Sequence, residues 1–331
     1  MMSETCIDAP DVRGRVRSGR EPLVIGLVNN MPDPALHITE MQFRELLDAA
    51  AGAHHEVRLR LFSFPELIRS ESGRDYVRRR YEPIDQLWSG CFDALIVTGA
   101  EPRAPSIADE AYWPSLTRLV GLAMDAGTPT IWSCLGAHAA VLCLDGIIRR
   151  RFDEKLSGIF RCTKAADDPL VAGLPTSWHL PHSRLNTLDS SQLVRAGYEI
   201  VSRSEQAGAD TFILRRRACF VFCQGHPEYD AFALLREYRR DVGRFLAGTV
   251  DRYPEMPRQY FDRQTTAAVT AFRARAERAR RRVSLEEFPR CATRAKHSWR
   301  DVAVHLYRNW LTTAVAERRA ATAAAPATSV A

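Results

Sequence analysis

Nowhere in these 331 residues is there an uninterrupted apolar run of about 18, the length a membrane-spanning helix needs. The first twenty-odd residues, MMSETCIDAPDVRGRVRSGREP, lack the apolar centre of a signal peptide. On that combination the chain is expected in the cytoplasm, with no membrane partner. CxxC pairs are missing as well. The eight cysteines (Cys6, Cys91, Cys134, Cys143, Cys162, Cys219, Cys223 and Cys291) have no regular spacing, which argues against a zinc site or a disulfide framework. No metal and no bound cofactor are expected, and no internal repeat is visible. Lysine is nearly missing too: only Lys155, Lys164 and Lys296 among 46 basic residues. Arginine therefore carries the net charge of +6, mostly in RVRSGR, in VRRRY ending at Tyr81 and in FRARAERARRRV over 272–283. Such a balance suits an anionic partner. No nucleic-acid-binding motif accompanies it, so an anionic cosubstrate such as coenzyme A is the better match and nucleic acid is not expected.

What is present is ordinary globular composition, 46% apolar and 26% charged. LVIGLV over 23–28 is a short apolar run, expected as a buried first strand. Residues 39–50 place Met41, Phe43, Leu46 and Leu47 at helical spacing behind Thr39, a candidate N-cap. Strands are expected over 55–62, 92–97, 129–133, 198–202, 211–214 and 219–222, with helices over 112–126 and 135–142. This alternation predicts an α/β fold with a mainly parallel sheet flanked by helices, in which active sites lie beyond the carboxyl ends of strands. Residues 1–21 are expected as a disordered leader and 22–258 as the catalytic domain. Residues 259–296 are expected to contain a basic, solvated helical insertion around 265–282. An amphipathic helix packing on the catalytic domain is expected over 297–316, and a low-complexity, disordered tail over 317–331.

Two strand ends carry chemistry. In PTIWSCLGAHAA an apolar strand runs into Cys134, small residues and a helix. A nucleophile on such a turn stands exposed above the sheet, and the helix N-terminus favours a thiolate. The backbone N–H of Leu135 is a candidate oxyanion donor. Gly99 and Ala100, at the end of an earlier strand, are candidates for a second, with Gly99 allowing unusual backbone angles. In VFCQGHPEYD a strand ends at Gly225 and His226 follows, with Glu228 two residues on and Pro227 fixing the backbone between them. A histidine base needs a third group to orient its ring, and Glu228 supplies one. Alone, each segment is as compatible with a buried structural cysteine or a surface histidine; together they suggest a Cys134–His226–Glu228 triad.

The segments NNMPDPALHITEMQFRELL, FDALIVTGAEP, DEAYWPSL, EKLSGIF, PHSR, SEQAG, GHPEYDAFALLREYRRDV and SWRDVAVHLYRNWL resemble, in order and from about residue 24 to 315, the homoserine O-acyltransferase (homoserine trans-succinylase) family. Its fold is that of class I glutamine amidotransferases, flavodoxin-like, here with a C-terminal helical extension. The resemblance implies that Cys134 takes an acyl group from acyl-CoA, with His226 as base and Glu228 as its orienter. It further implies that Lys155, Ser183 and Arg240 contact substrate, that the reaction is ping-pong and feeds methionine synthesis, and that the protein is a homodimer. From the chemistry, Arg240 suits the homoserine carboxylate, Ser183 a substrate hydrogen bond and Lys155 developing charge.

The likeness is that of a divergent member. Asp33-Pro34 follows Met31-Pro32 where the family usually has a lysine pair. His138 replaces a glutamine. Arg103 occupies the acyl-selecting position, usually Gly in succinyl users and Glu in acetyl users; its guanidinium suits a succinyl carboxylate. Serine or another hydroxy amino acid stays open as acceptor. A glutamine amidotransferase or γ-glutamyl hydrolase is the competing enzyme class. Gly136 fits the second glycine of the Gly-x-Cys-x-Gly elbow usual there, but Trp132 occupies the position of the first. A non-catalytic, basic binding protein using the 272–283 stretch is the third reading.

Overall fold

The computed structural model describes residues 22–53, 55–291, 297–316 and 318–320. The expected leader over 1–21 lies outside them. So does most of the expected tail, of which 318–320 are helical. Nine strands form one sheet: β1 Leu23–Val28, β2 Val57–Phe62, β3 Ala94–Val97, β4 Thr130–Ser133, β5 Arg150–Lys164, β6 Ser177–Thr187, β7 Glu199–Ser204, β8 Gly208–Arg215 and β9 Cys219–Cys223. Their spatial order is β2-β1-β3-β4-β9-β8-β7-β5-β6. The first five are mutually parallel, as the alternating strands and helices require. From β9 onward every pairing is antiparallel, so the sheet as a whole is mixed.

Side chains in the parallel half alternate between two buried faces. Ile25, Leu27, Ile96, Ile131 and Val221 point to one layer. That layer holds α1 (Leu36–Ala51), α7 (Ala233–Leu246), α8 (Arg263–Arg278) and α9 (Arg300–Trp310). Val28, Leu95, Val97, Trp132, Phe220 and Phe222 point to the other. There they meet α3 (Ile84–Ser89), α4 (Trp113–Asp125), α5 (Leu135–Asp145) and α6 (Ser190–Arg195). The remaining helix, α2 (Glu71–Arg80), starts on the Ser70 side-chain cap, whose oxygen accepts from Gly73 N. Among the described residues no helix is long and apolar enough to cross a membrane.

Two expectations are corrected here. The arginine-rich helix is not solvated all round. Thr265, Val269, Phe272 and Ala276 line one stripe of α8 at i, i+4, i+7 and i+11, and all are buried. Phe272 meets Phe288 edge to face with ring centres 5.3 Å apart. The arginines face outward, where Arg273 pairs with Glu255 and Glu277, and Arg275 with Glu287. Gly99 is the second correction. It has no positive φ; it is needed because a Cβ there would sit 2.4 Å from Leu135 Cβ.

The C-terminal amphipathic segment packs on α1, where Arg300 donates to Glu45 O at 2.7 Å. It also reaches the catalytic end: fully buried Trp299 donates its indole N–H to Tyr229 O at 2.8 Å. Truncating Phe272 to Ala is expected to cost about 3–5 kcal/mol of stability in urea unfolding, the range for a buried aromatic. A change under about 0.5 kcal/mol would mean that α8 is a surface appendage.

Candidate active site

Three parallel strands deliver the site. β3 ends in Thr98-Gly99-Ala100, β4 in Cys134 and β9 in the loop to His226. Cys134 is the junction between β4 and α5, with φ 49° and ψ −111°. Positive φ is costly for a residue with a Cβ, on the order of 1–3 kcal/mol, and the surroundings hold it. Cys134 N donates to Cys223 O at 2.7 Å, and Cys134 O accepts from Ala137 N and His138 N. The elbow also sits tightly on the end of β3. A Cβ on Gly136 would lie 2.8 Å from Val97 O, just as one on Gly99 would strike Leu135. The thiol is left partly exposed, while Cys162 and Cys223 are buried.

His226 is buried and donates Nδ1–H to Glu228 Oε1 at 2.8 Å. Ser133, the residue before the elbow, donates to the same oxygen at 3.3 Å. The other ring nitrogen, Nε2, is buried with no hydrogen-bond partner elsewhere among the described residues. It is left for Cys134, whose charge acts directly on the ring. Burial pushes the imidazole pKa down, but the Cys134 and Glu228 charges outweigh it and hold the pKa well above its ordinary value. Tyr229 stacks on the imidazole at 4.1 Å between ring centres.

These groups open into one cavity of about 200 Å³. Its walls include the candidates Cys134, Leu135, Gly99, Ala100, Lys155, Ser183, His226, Glu228 and Arg240. Leu135 opens α5, so its N–H has no acceptor within the helix. Arg103 is not among the walls. It lies in an adjoining hollow that shares Met31, Pro32, Ala100 and Glu101 with the cavity. Glu110 Oε1 holds the backbone there, accepting from Arg103 N at 2.6 Å and Ala104 N at 2.8 Å.

The group linking the substrate-facing candidates is Glu237, which the motifs did not single out. Lys155 Nζ donates to Glu237 Oε2 at 3.0 Å and to Asp241 Oδ2 at 2.8 Å. Ser183 and Tyr229 donate their hydroxyls to the two oxygens of Glu237. Burial works against this carboxylate, but Lys155 above all, then His226 and the two hydroxyls, bring its pKa to about 2. Arg240 holds Asp241 Oδ1 through Nε at 3.0 Å and Nη2 at 2.9 Å. A signal for Glu237 was in the sequence: Glu237, Arg240, Asp241 and Arg244 recur at i, i+3, i+4 and i+7, one polar stripe on α7.

Both unusual residues have structural partners. Asp33 accepts from Arg69 at 3.0 Å and from Ser70 N and Oγ at 2.8 and 2.7 Å, anchoring the start of α2. His138 is buried and donates to Gln224 Oε1 at 2.9 Å. Burial, with the nearby Arg184 charge, drops its pKa to about 3, so it is neutral.

Among the described residues one group has metal-type donors: Cys162, His182 and Asp210, with ligand atoms within 4.8 Å of one another. Its imidazole and carboxylate are held by neighbours, leaving His182 Nε2 and Asp210 Oδ1 with no hydrogen-bond partner outside their own pairing. Asp210 accepts from Ser202 at 2.6 Å and Thr211 at 3.0 Å, and pairs with His182 Nε2 at 3.1 Å. His182 Nδ1 accepts from Arg184 Nε at 3.4 Å. A cation would enter beside a buried guanidinium, which opposes it. The cluster fits an internal hydrogen-bonded network better than a metal site.

A family model described as homoserine O-succinyltransferase matches residues 11–321. The homoserine O-succinyltransferase of Bradyrhizobium japonicum is 46% identical over 301 residues, covering 90% of this chain and 92% of that protein. The Rhodopseudomonas palustris protein of the same name is 47% identical over 295 residues, covering 88% of each. Among solved structures, a glutamine amidotransferase from Methylobacillus flagellatus superposes with a TM-score of 0.51 at 16% identity, over 88% of this chain and 94% of that one. One from Thermotoga maritima gives 0.50 at 14% identity, over 89% and 99%. At that identity the two structures establish the fold alone.

The Glu237 pairing has a pH signature. Its folded pKa, about 2, lies below the ordinary 4.5, so its stabilisation is present at neutral pH and is lost as pH falls from about 4.5 to 2. Glu237→Gln is expected to lower stability at pH 7 and to converge on the wild type toward pH 2 in denaturant titrations. Parallel pH profiles would show that the carboxylate is not held this way.

Proposed function

The chain belongs to the homoserine O-succinyltransferase family, and on that premise we propose that it moves the succinyl group of succinyl-CoA to the hydroxyl of L-homoserine through a Cys134 thioester. The observation that carries the mechanism is the meeting, in one cavity, of the Cys134 elbow, the His226–Glu228 pair and the Lys155–Ser183–Glu237–Arg240 group. In the first half-reaction the Cys134 thiolate attacks the thioester carbonyl. The Leu135 N–H and the Gly99–Ala100 turn face the oxyanion. The C–S bond to coenzyme A breaks, and the departing thiolate takes the proton carried by His226. In the second, His226 removes the hydroxyl proton of homoserine, the oxygen attacks the Cys134 thioester, and the ester leaves with the Cys134 thiolate restored. Glu228 keeps the ring turned toward Cys134 throughout.

The amino acid's two charges suit the α7 stripe. Its ammonium is placed against Glu237, and its carboxylate against Arg240, which bonds Asp241 through Nε and Nη2 and stays partly exposed. The succinyl carboxylate extends toward Arg103 in the adjoining hollow, the feature that favours succinyl over acetyl. The product serves methionine biosynthesis. A cytoplasmic homodimer without a resident cofactor completes the proposal, with acyl-CoA entering as cosubstrate.

Steady-state rates for succinyl-CoA and acetyl-CoA against homoserine and serine test this reading. Succinyl-CoA with homoserine is expected to give the highest kcat/KM. Cys134→Ala is expected to reduce kcat by on the order of a thousandfold or more. Glutaminase activity without acyl-CoA turnover would overturn the proposal, and a preference for serine would redirect it.

A further inference from the structure

Outside the catalytic cavity, three arginines gather on the flank of α5. The chain leaves α5 at Gly146, in a left-handed conformation with φ 65°, and turns into β5. Facing this 146–150 segment is α6, which ends at Arg195. Between them lies a groove of about 570 Å³, walled by Ile148, Arg149, Arg150, Gln192 and Arg195. Of its three arginines, one makes an ion pair among the described residues. Arg150 pairs with Asp189 at 3.2 Å. Arg149 and Arg195 make no ion pair among the described residues, and Arg149 Nη1 is buried without a hydrogen-bond partner. Arginines without a carboxylate partner are answered by an incoming anion, best by a phosphate that accepts two N–H groups at once. Two apolar side chains flank the same segment and helix: Ile148 is 72% exposed and Val194 58% exposed. Phosphate donors beside exposed apolar surface suit a phosphorylated nucleoside, the charge for the arginines and the base for the apolar faces.

Arg149 is shared between this groove and the surroundings of Cys134. Arg149 interacts electrostatically with Cys134, and with Glu110 and Tyr112 in the hollow adjoining the catalytic cavity. One ligand can therefore seat its phosphates on the flank and extend a chain to the nucleophile. We propose that this groove binds the 3′-phosphoadenosine diphosphate end of the CoA thioester, with the pantetheine arm running past Arg149 to Cys134. The assignment rests on the acyl-transfer reading above and adds the donor's anchoring site.

Comparing succinyl-CoA with succinyl-pantetheine, which lacks the nucleotide, separates the groove from the chemistry. In the wild type, kcat/KM is expected to be higher for succinyl-CoA, and adenosine 3′,5′-bisphosphate is expected to inhibit competitively against it. Arg195→Glu and Arg149→Gln are each expected to lower the succinyl-CoA to succinyl-pantetheine ratio of kcat/KM roughly tenfold, the size of one charged hydrogen bond. Arg195 is exposed, so its variant tests the groove without disturbing the core. An unchanged ratio in the Arg195→Glu protein, or a wild type indifferent to the bisphosphate and equally active with both donors, overturns the groove assignment while acyl transfer stands. A wild type that turns over neither donor overturns both.

Discussion

The backbone turn at Cys134 is the constraint on which the rest of the site depends. A β-strand must become an α-helix within one residue, and that residue must carry a Cβ and a thiol. The turn requires positive φ, which the protein tolerates because three neighbours over-determine it. Cys223 receives the Cys134 N–H, the first turn of α5 bonds the Cys134 carbonyl, and the end of β3 lies so close that only glycine fits at 99 and 136. The strain places the sulfur outside the sheet instead of inside the core, where Cys162 and Cys223 are found. It also fixes where the proposed acyl transfer takes place, with the carboxyl ends of β3 and β9 supplying the neighbouring groups.

Charge around the nucleophile falls into two groups that meet at His226. On one side Glu228, steadied by Ser133, holds the ring through Nδ1. On the other Tyr229 stacks on the ring and passes its hydroxyl to Glu237, where Lys155 and Ser183 also converge. The proposed base and the proposed substrate-facing residues are thus joined through one tyrosine. The backbone carbonyl of that tyrosine is in turn held by Trp299, next to α9. A C-terminal segment distant in sequence thus braces the loop that bears His226.

The parallel half of the fold was legible because its strands are short, apolar and separated by helical periodicity. So were Cys134 and His226, because each follows such a strand directly. β5 and β6 were not. β5 is 15 residues long, carries RRFDEK at its start and slips register between Arg151 and Leu156, which breaks the two-residue alternation on which a strand assignment depends. The packed face of α8 was hidden for a related reason. Its stripe consists of Thr265, Val269, Phe272 and Ala276, small apart from one phenylalanine and matched in number by the helix's arginines. Glu237 was masked by the charge run REYRRD, where one buried carboxylate looks like its solvated neighbours. The cause was the same at each point: burial is a tertiary property, and polar residues announce it weakly.

Acylation of Cys134 is the central claim, and intact-mass measurement after mixing the protein with succinyl-CoA in the absence of acceptor tests it most directly. The account predicts a mass increase of one succinyl group, located at Cys134 by peptide mapping and discharged on addition of homoserine. An unmodified protein that nonetheless turns over, or an adduct that maps to another cysteine and survives homoserine, would contradict it.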